Sequence, residues 1–392
     1  MTSGAPVAGA SWDVVVVGAG PAGCAVAITL AGFGWRVLLV EARAAPRFKL
    51  GESIAPGAVG LVRQFLGPSA DVLDRVAAGF RTAGNVSLWA GAQPDTTDFF
   101  YTPAGHGLCV DRLAFDQALR DRATAAGATL VGGRFVSCVR QVDGLSRWRV
   151  TLDQAQAQAQ AGGACVHQAR FLVDASGRVA VVGRALGVAC QPLDGLFAYA
   201  QWYDSAMPDQ DVYTRIESGP LGWWYSNRLP GAAARRLLVF HTDHDLPAAR
   251  QAAHQAGFDA LLQASTHLRP LLRDKGYAAD GSRPVRGAPA GSQRLQAFGG
   301  PDWLAAGDAA QAYDPLSSQG IWKALDSGSE AGHQVHYQLQ AAVPAGRPQS
   351  QVQQYLDGQA LRWDRYVLQR NFYYAQQDRW REGAFWQRRR GD

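Results

Sequence analysis

Lysine is scarce in this chain of 392 residues, in which lysine and arginine together number 38. It occurs only at Lys49, Lys275 and Lys323, so arginine carries almost all of the basic charge. Because a guanidinium stays protonated and is a poor nucleophile, chemistry that needs a free amine has three positions available. The formal net charge is only +5 and no long basic run occurs, so no nucleic-acid partner is expected. The short stretch from Arg388 to Arg390 is interpreted as a solvated tail.

Other familiar signatures are missing as well. The five cysteines form no CxxC pair, which argues against a zinc site or a disulfide framework, and the eight histidines form no HxxxH pair. No metal site is therefore predicted, and no Gly-x-Ser-x-Gly sequence marks a hydrolase. No apolar segment approaches the ~20 residues that span a bilayer, and no secretory leader opens the sequence. We expect a cytoplasmic protein without a membrane span.

The most informative segment is an apolar run, Asp13 to Val17, that leads into closely spaced glycines. Such a run is typical of a buried parallel strand, and a proline then opens the following helix. In this kind of unit the first glycine permits a tight turn, the second lets a pyrophosphate approach the backbone, and the third allows helix and strand to pack closely. A second predicted strand ends at Glu41, where such folds place a carboxylate for a ribose hydroxyl. The predicted nucleotide-binding residues here are Gly18, Gly20, Pro21, Ala22, Gly23, Glu41, Ala42 and Arg43.

Two later segments are predicted to bind the same nucleotide ligand. Residues 174–177 (Asp-Ala-Ser-Gly) end a predicted strand in a glycine turn that is expected near the pyrophosphate. Residues 307–308 provide an acid for a polyol chain, and residues 314–321 then begin a helix whose free amides stabilise negative charge on a ring carbonyl. NAD has no ribityl chain, so FAD fits better. The predicted contributors are Ala175, Gly177, Gly307, Asp308, Pro315, Gln319, Gly320 and Ile321, although Gln319 is open to interpretation as a turn residue only.

The middle of the chain has a different composition. Between residues 186 and 295 aromatic residues cluster at strand-like spacing, which predicts an antiparallel sheet that forms a substrate domain. A helix is expected over 259–272, and the alternating Gln and Ala at 154–160 indicate a hairpin loop. The predicted division is a discontinuous FAD-binding domain (1–185 and 296–340), a substrate domain (186–295) and a C-terminal helical region (341–392).

The three motifs, in this order, resemble those of FAD-dependent aromatic hydroxylases and their flavin-dependent halogenase relatives. The matching sequences are GAGPAG at 18–23, DASG at 174–177 and GDAA…DPLSSQG at 307–320. The resemblance implies an α/β fold: a Rossmann-like FAD-binding domain of the aromatic hydroxylase type, an antiparallel-sheet second lobe of α+β character, and C-terminal helices. It also implies that the loop from Lys49 to Ser53 covers the flavin ring, with Ser53 at the cofactor, and that Arg112 contacts FAD. The alternative interpretation of Arg112, from the residues alone, is a helix-capping or solvated charge.

The motifs say less about the reaction. If the resemblance extended to halogenation, it would imply a lysine amine between flavin and substrate. In the corresponding region, however, this chain has the sequence Gly79-Phe80-Arg81-Thr82, without a lysine. Hydroxylation is therefore favoured, and Lys49 keeps halogenation open. In hydroxylases, reduced FAD and O₂ give a C4a-hydroperoxide that an electron-rich indole or phenol attacks.

The candidate catalytic residues are Glu52, Trp224, Tyr225 and Lys49. Glu52 is a candidate general base for the ring proton, and Trp224 and Tyr225 are candidates for an aromatic cage. They lie in residues 222–230, in the place of a tryptophan-rich motif of halogenases. The alternatives are that Glu52 is a surface ion-pair partner and that the aromatic residues fill a core. Since adjacent residues of a strand face opposite sides, only one of Trp224 and Tyr225 is expected to face the flavin.

A narrower resemblance concerns the substrate. Residues 317–325 (SSQGIWKAL), with the aromatic and arginine-rich C-terminal region, resemble flavoproteins that modify tryptophan residues in tryptophylquinone maturation. This implies that the aromatic substrate is presented on a protein or peptide. The alternative is a small aromatic substrate that is free or bound to a carrier. Two alternatives to a hydroxylase or halogenase remain open. One is an oxidoreductase of the geranylgeranyl reductase type, and the other is a flavin-binding protein without turnover. No second GxGxxG marks an NAD(P)H domain, so the electron donor is either NAD(P)H that docks transiently or a separate flavin reductase.

Overall fold

The computed structural model describes residues 11–43, 45–46, 49–67, 70–77, 80–141, 147–153, 164–231, 234–341 and 350–390. The Gln/Ala tract at 154–160 and Gly79 lie outside the described residues. The helices are α1 (Pro21–Gly32), α2 (Pro56–Leu66), α3 (Ala70–Ala77), α4 (Arg112–Ala125), α5 (Val181–Ala185), α6 (Pro247–Ala252), α7 (Gln255–Leu262), α8 (Leu268–Asp274), α9 (Gly320–Gln340), α10 (Ser350–Ala375) and α11 (Ala384–Gln387).

The strands, in chain order, are β1 (Ser11–Val17), β2 (Val37–Glu41), β3 (Ser53–Ile54), β4 (Arg81–Thr82), β5 (Gly84–Leu88), β6 (Asp95–Asp98), β7 (Gly107–Cys109), β8 (Thr129–Gly132), β9 (Arg134–Arg140), β10 (Trp148–Asp153), β11 (Ala164–Asp174), β12 (Cys190–Pro192), β13 (Leu196–Ser205), β14 (Tyr213–Gly219), β15 (Gly222–Arg228), β16 (Ala234–Asp243), β17 (Ala278–Ala279), β18 (Arg286–Pro289), β19 (Gln293–Leu295), β20 (Gly299–Gly300), β21 (Trp303–Ala305) and β22 (Gln311–Ala312).

The N-terminal glycine unit lies at the centre of a mainly parallel sheet. β1 pairs in parallel with both β2 and β11, in the order β20-β21-β11-β1-β2-β8. Val14 and Val16 face a core shared with α1, α4 and α9, whereas Val15 and Val17 face a second core shared with β10 and α5. Burial on both faces explains why this strand is an uninterrupted apolar run. The predicted α/β fold with a Rossmann-like unit is confirmed.

The second large sheet is mainly antiparallel and has the order β17-β13-β16-β15-β14-β5-β6. Its long strands β13, β15 and β16 come from the predicted substrate domain and carry most of the clustered aromatic residues. Strands β5 and β6 come from residues 84–98, which the sequence division assigned to the FAD-binding domain, and β5 pairs in parallel with β14. Residues from both predicted domains therefore form this sheet.

The helix predicted over 259–272 is two helices, α7 and α8, so this prediction was wrong. The buried carboxylate of Glu217 accounts for the break, because it accepts hydrogen bonds from the Ser265 hydroxyl and from the amides of Thr266, His267 and Leu268. A carboxylate at these amides stabilises the start of α8. Glu217 is distant in sequence, so local periodicity does not reveal the break.

The interpretation of Arg388 to Arg390 as a solvated tail was also wrong. Arg389 is buried and pairs with the buried Asp243 at 2.5 Å, and Arg388 lies 2.6 Å from Asp245. These ion pairs hold the C-terminal segment on the end of β16. Of the helices in the described ranges, none combines the length and apolar character that crossing a membrane requires.

Candidate active site

The predicted nucleotide-binding segments meet at one edge of the parallel sheet. Val17, the last residue of β1, is in register with Asp174 of β11 and Val40 of β2, and Asp174 is in register with Ala305 of β21. Because these strands are parallel, the turns that follow them lie side by side at their carboxyl ends. Open α/β sheets bind their ligands at this edge.

Three of the predicted glycines are required by close packing. A Cβ atom at Gly18, where φ is +106°, would lie 2.3 Å from the carbonyl oxygen of Ala175. At Gly23 it would lie 1.8 Å from the Gly18 carbonyl oxygen, and at Gly307, where φ is +62°, 2.6 Å from the Ala22 Cβ. These contacts hold the glycine turn, the 174–177 turn and the 307–308 turn against one another.

The other predicted glycines border open space. A Cβ at Gly20 would have only the Nζ atom of Lys49, at 3.8 Å, as a neighbour, and nothing lies within 4 Å of such an atom at Gly177 or Gly320. Gly20 precedes Pro21, the first residue of α1. Open backbone at the start of a helix is what a pyrophosphate requires, so this part of the site fits the predicted cofactor.

Glu41 lies at the end of β2 and is held by several donors. Its carboxylate accepts hydrogen bonds from the amides of Ala19 at 3.1 Å and Arg43 at 3.2 Å, and it pairs with Arg120 at 3.1 Å. Arg120 also donates to the carbonyl oxygen of Ala19 at 3.1 Å. Ala42 and Arg43 are exposed in the turn that follows. Arg120 therefore orients Glu41, the residue predicted to bind a ribose hydroxyl. This role of Arg120 was not predicted from the sequence.

One face of α4 carries buried charges at intervals of four residues: Arg112, Asp116 and Arg120. Arg112 pairs with Asp116 at 3.1 Å and donates to the carbonyl oxygens of residues 50–51 at 3.0 and 3.1 Å. Lys49 is half-exposed, and its Nζ lies 3.4 Å from Asp116 Oδ2. Arg112 is therefore not a solvated charge: it holds the loop of residues 49–53 beside the glycine turn. Charged residues on the otherwise apolar face of an amphipathic helix are the signal that the sequence offered.

Asp308 is paired on one side and open on the other. Its Oδ1 lies 2.6 Å from Nζ of Lys323, its Oδ2 lies 4.0 Å from Nε of Arg178, and 39% of the side chain is exposed. The buried ammonium of Lys323 also donates to the Gln311 carbonyl oxygen and lies 4.3 Å from the centre of the Tyr313 ring. Burial raises the pKa of Asp308, but the charges of Lys323 and Arg178 outweigh it, so the pKa lies below the usual range.

The turn from Asp314 to Gln319 leads into the longest helix of the FAD-binding part. Asp314 caps a short turn that begins at Pro315, Gln319 is the N-cap of α9, and Gly320 is its first residue. The Gln319 side chain makes no capping hydrogen bond to this helix start, and Ile321 is buried in the core beneath it. The positive end of α9 is thus available to an anionic ring carbonyl.

Side chains of α10 hold the same turn. Tyr374 donates to Asp314 Oδ2 at 2.8 Å, the Asp314 amide donates to the Tyr366 hydroxyl at 2.7 Å, and Arg370 Nε lies 3.7 Å from Asp314 Oδ2. No role was predicted for these three residues from the sequence. Their spacing at positions 366, 370 and 374 on one helix was the available signal.

The loop that is expected to cover the flavin ring meets the substrate sheet at Glu52 and Tyr225. The Tyr225 hydroxyl donates to Glu52 Oε1 at 2.6 Å, and the Gly51 amide donates to Oε2 at 3.2 Å. Glu52 is buried, which excludes its interpretation as a surface ion-pair partner. Burial and then the charge of Glu52 raise the pKa of Tyr225 well above its usual value. Ser53 follows in β3 and pairs with Cys109 of β7.

Trp224 lies on the opposite face of β15. It packs against Phe240 and Phe258, with ring centres 4.7 and 5.1 Å apart, in a core shared with α6, α7 and α8. Its neighbour Trp223 stacks on His241 at 3.7 Å and donates to the Tyr374 hydroxyl at 3.1 Å. Of the two candidate aromatic residues, Tyr225 is therefore the one that contacts the FAD-binding part.

The geometry suits a dinucleotide with a polyol chain. Open backbone at Gly20 and Gly177, a partly exposed acid at Asp308 and the uncapped start of α9 follow one another along the edge of the sheet. In the described part of the chain, no group of three or more His, Cys, Asp or Glu side chains is arranged to hold a metal ion.

Comparison with known proteins agrees with this geometry. Residues 13–191 match the family described as FAD dependent oxidoreductase. The chain is 27% identical over 390 residues to the putative FAD-dependent oxidoreductase LodB of Marinomonas mediterranea, with 97% of both chains covered. The solved peptidyl tryptophan dihydroxylase QhpG, essential for tryptophylquinone cofactor biogenesis, is 28% identical with a TM-score of 0.68, covering 97% of this chain and 79% of that chain. The myxobacterial chondrochloren halogenase has a TM-score of 0.80 at 22% identity, over 97% of this chain and 86% of that chain.

The class of protein follows from the fold, the nucleotide site and these similarities. The chain is an enzyme that is similar to FAD-dependent oxidoreductases and has the fold of flavin-dependent halogenases and of the peptidyl tryptophan dihydroxylase. The predictions of an enzyme and of FAD as its cofactor are confirmed.

Proposed function

We propose that this protein is an FAD-dependent monooxygenase that hydroxylates an electron-rich aromatic ring of the indole or phenol type. The observation that carries the proposal is the hydrogen bond between Tyr225 and Glu52, which brings a buried carboxylate to the junction of the flavin-side loop and the substrate sheet. In this reaction one atom of O₂ enters an aromatic C–H bond and the other leaves as water. Two electrons and two protons are consumed.

Bound FAD, once reduced, supplies the electrons and the activated oxygen. The protein holds the ring, excludes water and removes the proton that the ring loses. Glu52 is the group that we assign to accept this proton. Because burial and the charge of Glu52 raise the pKa of Tyr225, the phenol stays protonated and holds the carboxylate in place as a donor. Trp224, on the far face of the strand, supports the sheet.

The lysines favour oxygenation over halogenation. Lys323 pairs with Asp308 at 2.6 Å, and Lys275 lies 3.5 Å from Asp209 of the substrate domain. Lys49, the residue that kept halogenation open, faces Asp116 and the open side of Gly20. Its half-exposed ammonium suits a pyrophosphate, so we assign it to cofactor binding rather than to the handling of an oxidised halide.

We further infer that the ring belongs to a tryptophan residue of a partner polypeptide. The similarity to the peptidyl tryptophan dihydroxylase extends over 97% of this chain, at 28% identity. Electrons come from NAD(P)H, which either docks transiently or acts through a separate flavin reductase.

The test supplies the holoenzyme with NADH and a flavin reductase in the presence of O₂. Free tryptophan, N-acetyltryptophanamide and a tryptophan-containing peptide are offered separately, and products are identified by mass. We expect oxygenated indole, with the highest kcat/KM for the peptide. Saturation of an added geranylgeranyl substrate in the absence of O₂ would support a reductase instead. Absence of oxygenated product, with NADH consumed no faster than by the flavin reductase alone, would support a flavin-binding protein without turnover.

A further inference from the structure

Lys323 has no part in the function proposed above, yet it is a fully buried cation in the FAD-binding part. Its ammonium contacts Asp308 Oδ1, the Gln311 carbonyl oxygen and the face of Tyr313. A buried charge is costly unless it is paired and hydrogen-bonded. The partner here is the acid predicted to bind the polyol chain of the cofactor, which suggests a role beyond stability.

We propose that Lys323 is a positioning residue for the flavin: it keeps Asp308 ionised and fixes one carboxylate oxygen, so that the other is presented to a cofactor hydroxyl. The proposal rests on the placement of FAD described above, but not on hydroxylation.

Lys323 pairs with Oδ1 of Asp308, whereas Oδ2 lies 4.0 Å from Arg178 Nε and the Asp308 side chain remains partly exposed. The same helix holds the preceding residue, because the Gly307 amide donates to the Ser327 hydroxyl oxygen at 3.0 Å and Ser327 donates to the Lys323 carbonyl oxygen at 2.7 Å. One helix, α9, therefore fixes the turn at Asp308 and also supplies the uncapped amides at Gly320. This sets the distance between two predicted flavin contacts.

The charged groups that act on Asp308 are Lys323 on α9, Arg178 after β11 and Arg112 on α4. Burial opposes ionisation of Asp308, and Lys323 is the nearest of the three cations that overcome it. Without Lys323 the pKa of Asp308 rises. A carboxyl group that becomes protonated as the pH falls is a poorer acceptor for a cofactor hydroxyl.

The test measures FAD affinity of the apoprotein by fluorescence titration, and it needs no turnover. For the wild type we expect a dissociation constant that is flat between about pH 8 and about pH 5, because Asp308 stays ionised. For K323M we expect ~10- to 150-fold weaker binding, as for a lost charge-assisted hydrogen bond. The loss grows as the pH falls, by at most ~10-fold per pH unit. K323R keeps a cation and should restore a flat profile. The matched control is K275M, at a lysine paired with Asp209 in the other sheet, and it should bind FAD as the wild type does.

D308N separates this proposal from the placement of FAD. We expect D308N to weaken FAD binding with no pH dependence, and K323M to add less than about twofold in the D308N background, since the two residues act as one unit. The double variant has no carboxylate at position 308 that could be left unpaired, so it remains informative where K323M alone fails to fold. Unchanged affinity in D308N would show that FAD is placed wrongly. If D308N does weaken FAD, a flat pH profile for K323M, or an equal loss in both backgrounds, would overturn the role of Lys323.

Discussion

The hydroxyl of Tyr374 donates to Asp314 Oδ2 at 2.8 Å and accepts from the indole N–H of Trp223 at 3.1 Å. It therefore joins three parts of the chain: α10, the turn before α9, and strand β15 of the substrate sheet. Arg370 reinforces this junction through Asp194, at 2.8 Å. The C-terminal helix is thus part of the support of the candidate site.

Replacing Tyr374 with Phe should destabilise the protein, because the buried carboxylate of Asp314 loses a donor. A buried group left unsatisfied costs about 1–3 kcal/mol. The free energy of unfolding, from urea titration, measures the loss. Its matched control is Tyr373→Phe at the exposed neighbouring position, which should change little. Equal stability of the two variants would show that this hydrogen bond contributes nothing.

Substitution by valine should have different effects at Gly20, which borders open space, and at Gly23, which is tightly packed. At Gly20, where φ is −81°, a side chain enters free space. Gly20→Val should therefore keep its melting temperature as apoprotein but lose FAD, because the pyrophosphate can no longer approach the backbone. Gly23→Val should fail to fold, since its Cβ would lie 1.8 Å from a backbone oxygen. Full flavin occupancy in the Gly20 variant would refute the cofactor placement.

Much of this site could be predicted from the sequence. The sequence predicted that the glycine turn with Glu41 and the two later motifs converge on one ligand, and in the structure they follow neighbouring strands of one parallel sheet. Their binding of FAD stays a prediction. The partners that orient these residues were missed, because contacts such as Arg120 with Glu41 and Lys323 with Asp308 depend on how separate elements pack. The entry of residues 84–98 into the second sheet was missed for the same reason.

The two candidate aromatic residues should separate function from stability. Tyr225→Phe removes the donor to Glu52, so we expect FAD to stay bound while less product and more hydrogen peroxide are formed. Trp224→Ala should instead cost about 3–5 kcal/mol of stability, because it empties a packed core. Product and peroxide are measured together, and unfolding is followed by urea. An unchanged product-to-peroxide ratio in Tyr225→Phe would remove this residue from the reaction.

The free energy of unfolding should decrease as the pH falls through a range that is determined by the pKa of His241. Burial lowers the pKa of this ring to about 3, whereas its ordinary value is 6.5, so the unfolded chain takes up a proton that the folded protein does not. Stability is therefore lost as the pH falls from about 6.5 to about 3, by at most ~1.4 kcal/mol per pH unit. His241→Phe keeps an aromatic ring on Trp223 and does not titrate. The wild type should show the steeper decline in this window, and parallel profiles would contradict the assignment.

The reaction class is tested most directly by a competition between labelled oxygen and halide. The holoenzyme, with NADH and a flavin reductase, is given ¹⁸O₂, bromide and N-acetyltryptophanamide or a tryptophan-containing peptide, and the products are analysed by mass spectrometry. We expect indole products that carry ¹⁸O and lack the bromine isotope pattern, both in the wild type and in Lys49→Met with restored FAD. Brominated products that disappear in Lys49→Met would contradict it and identify a halogenase.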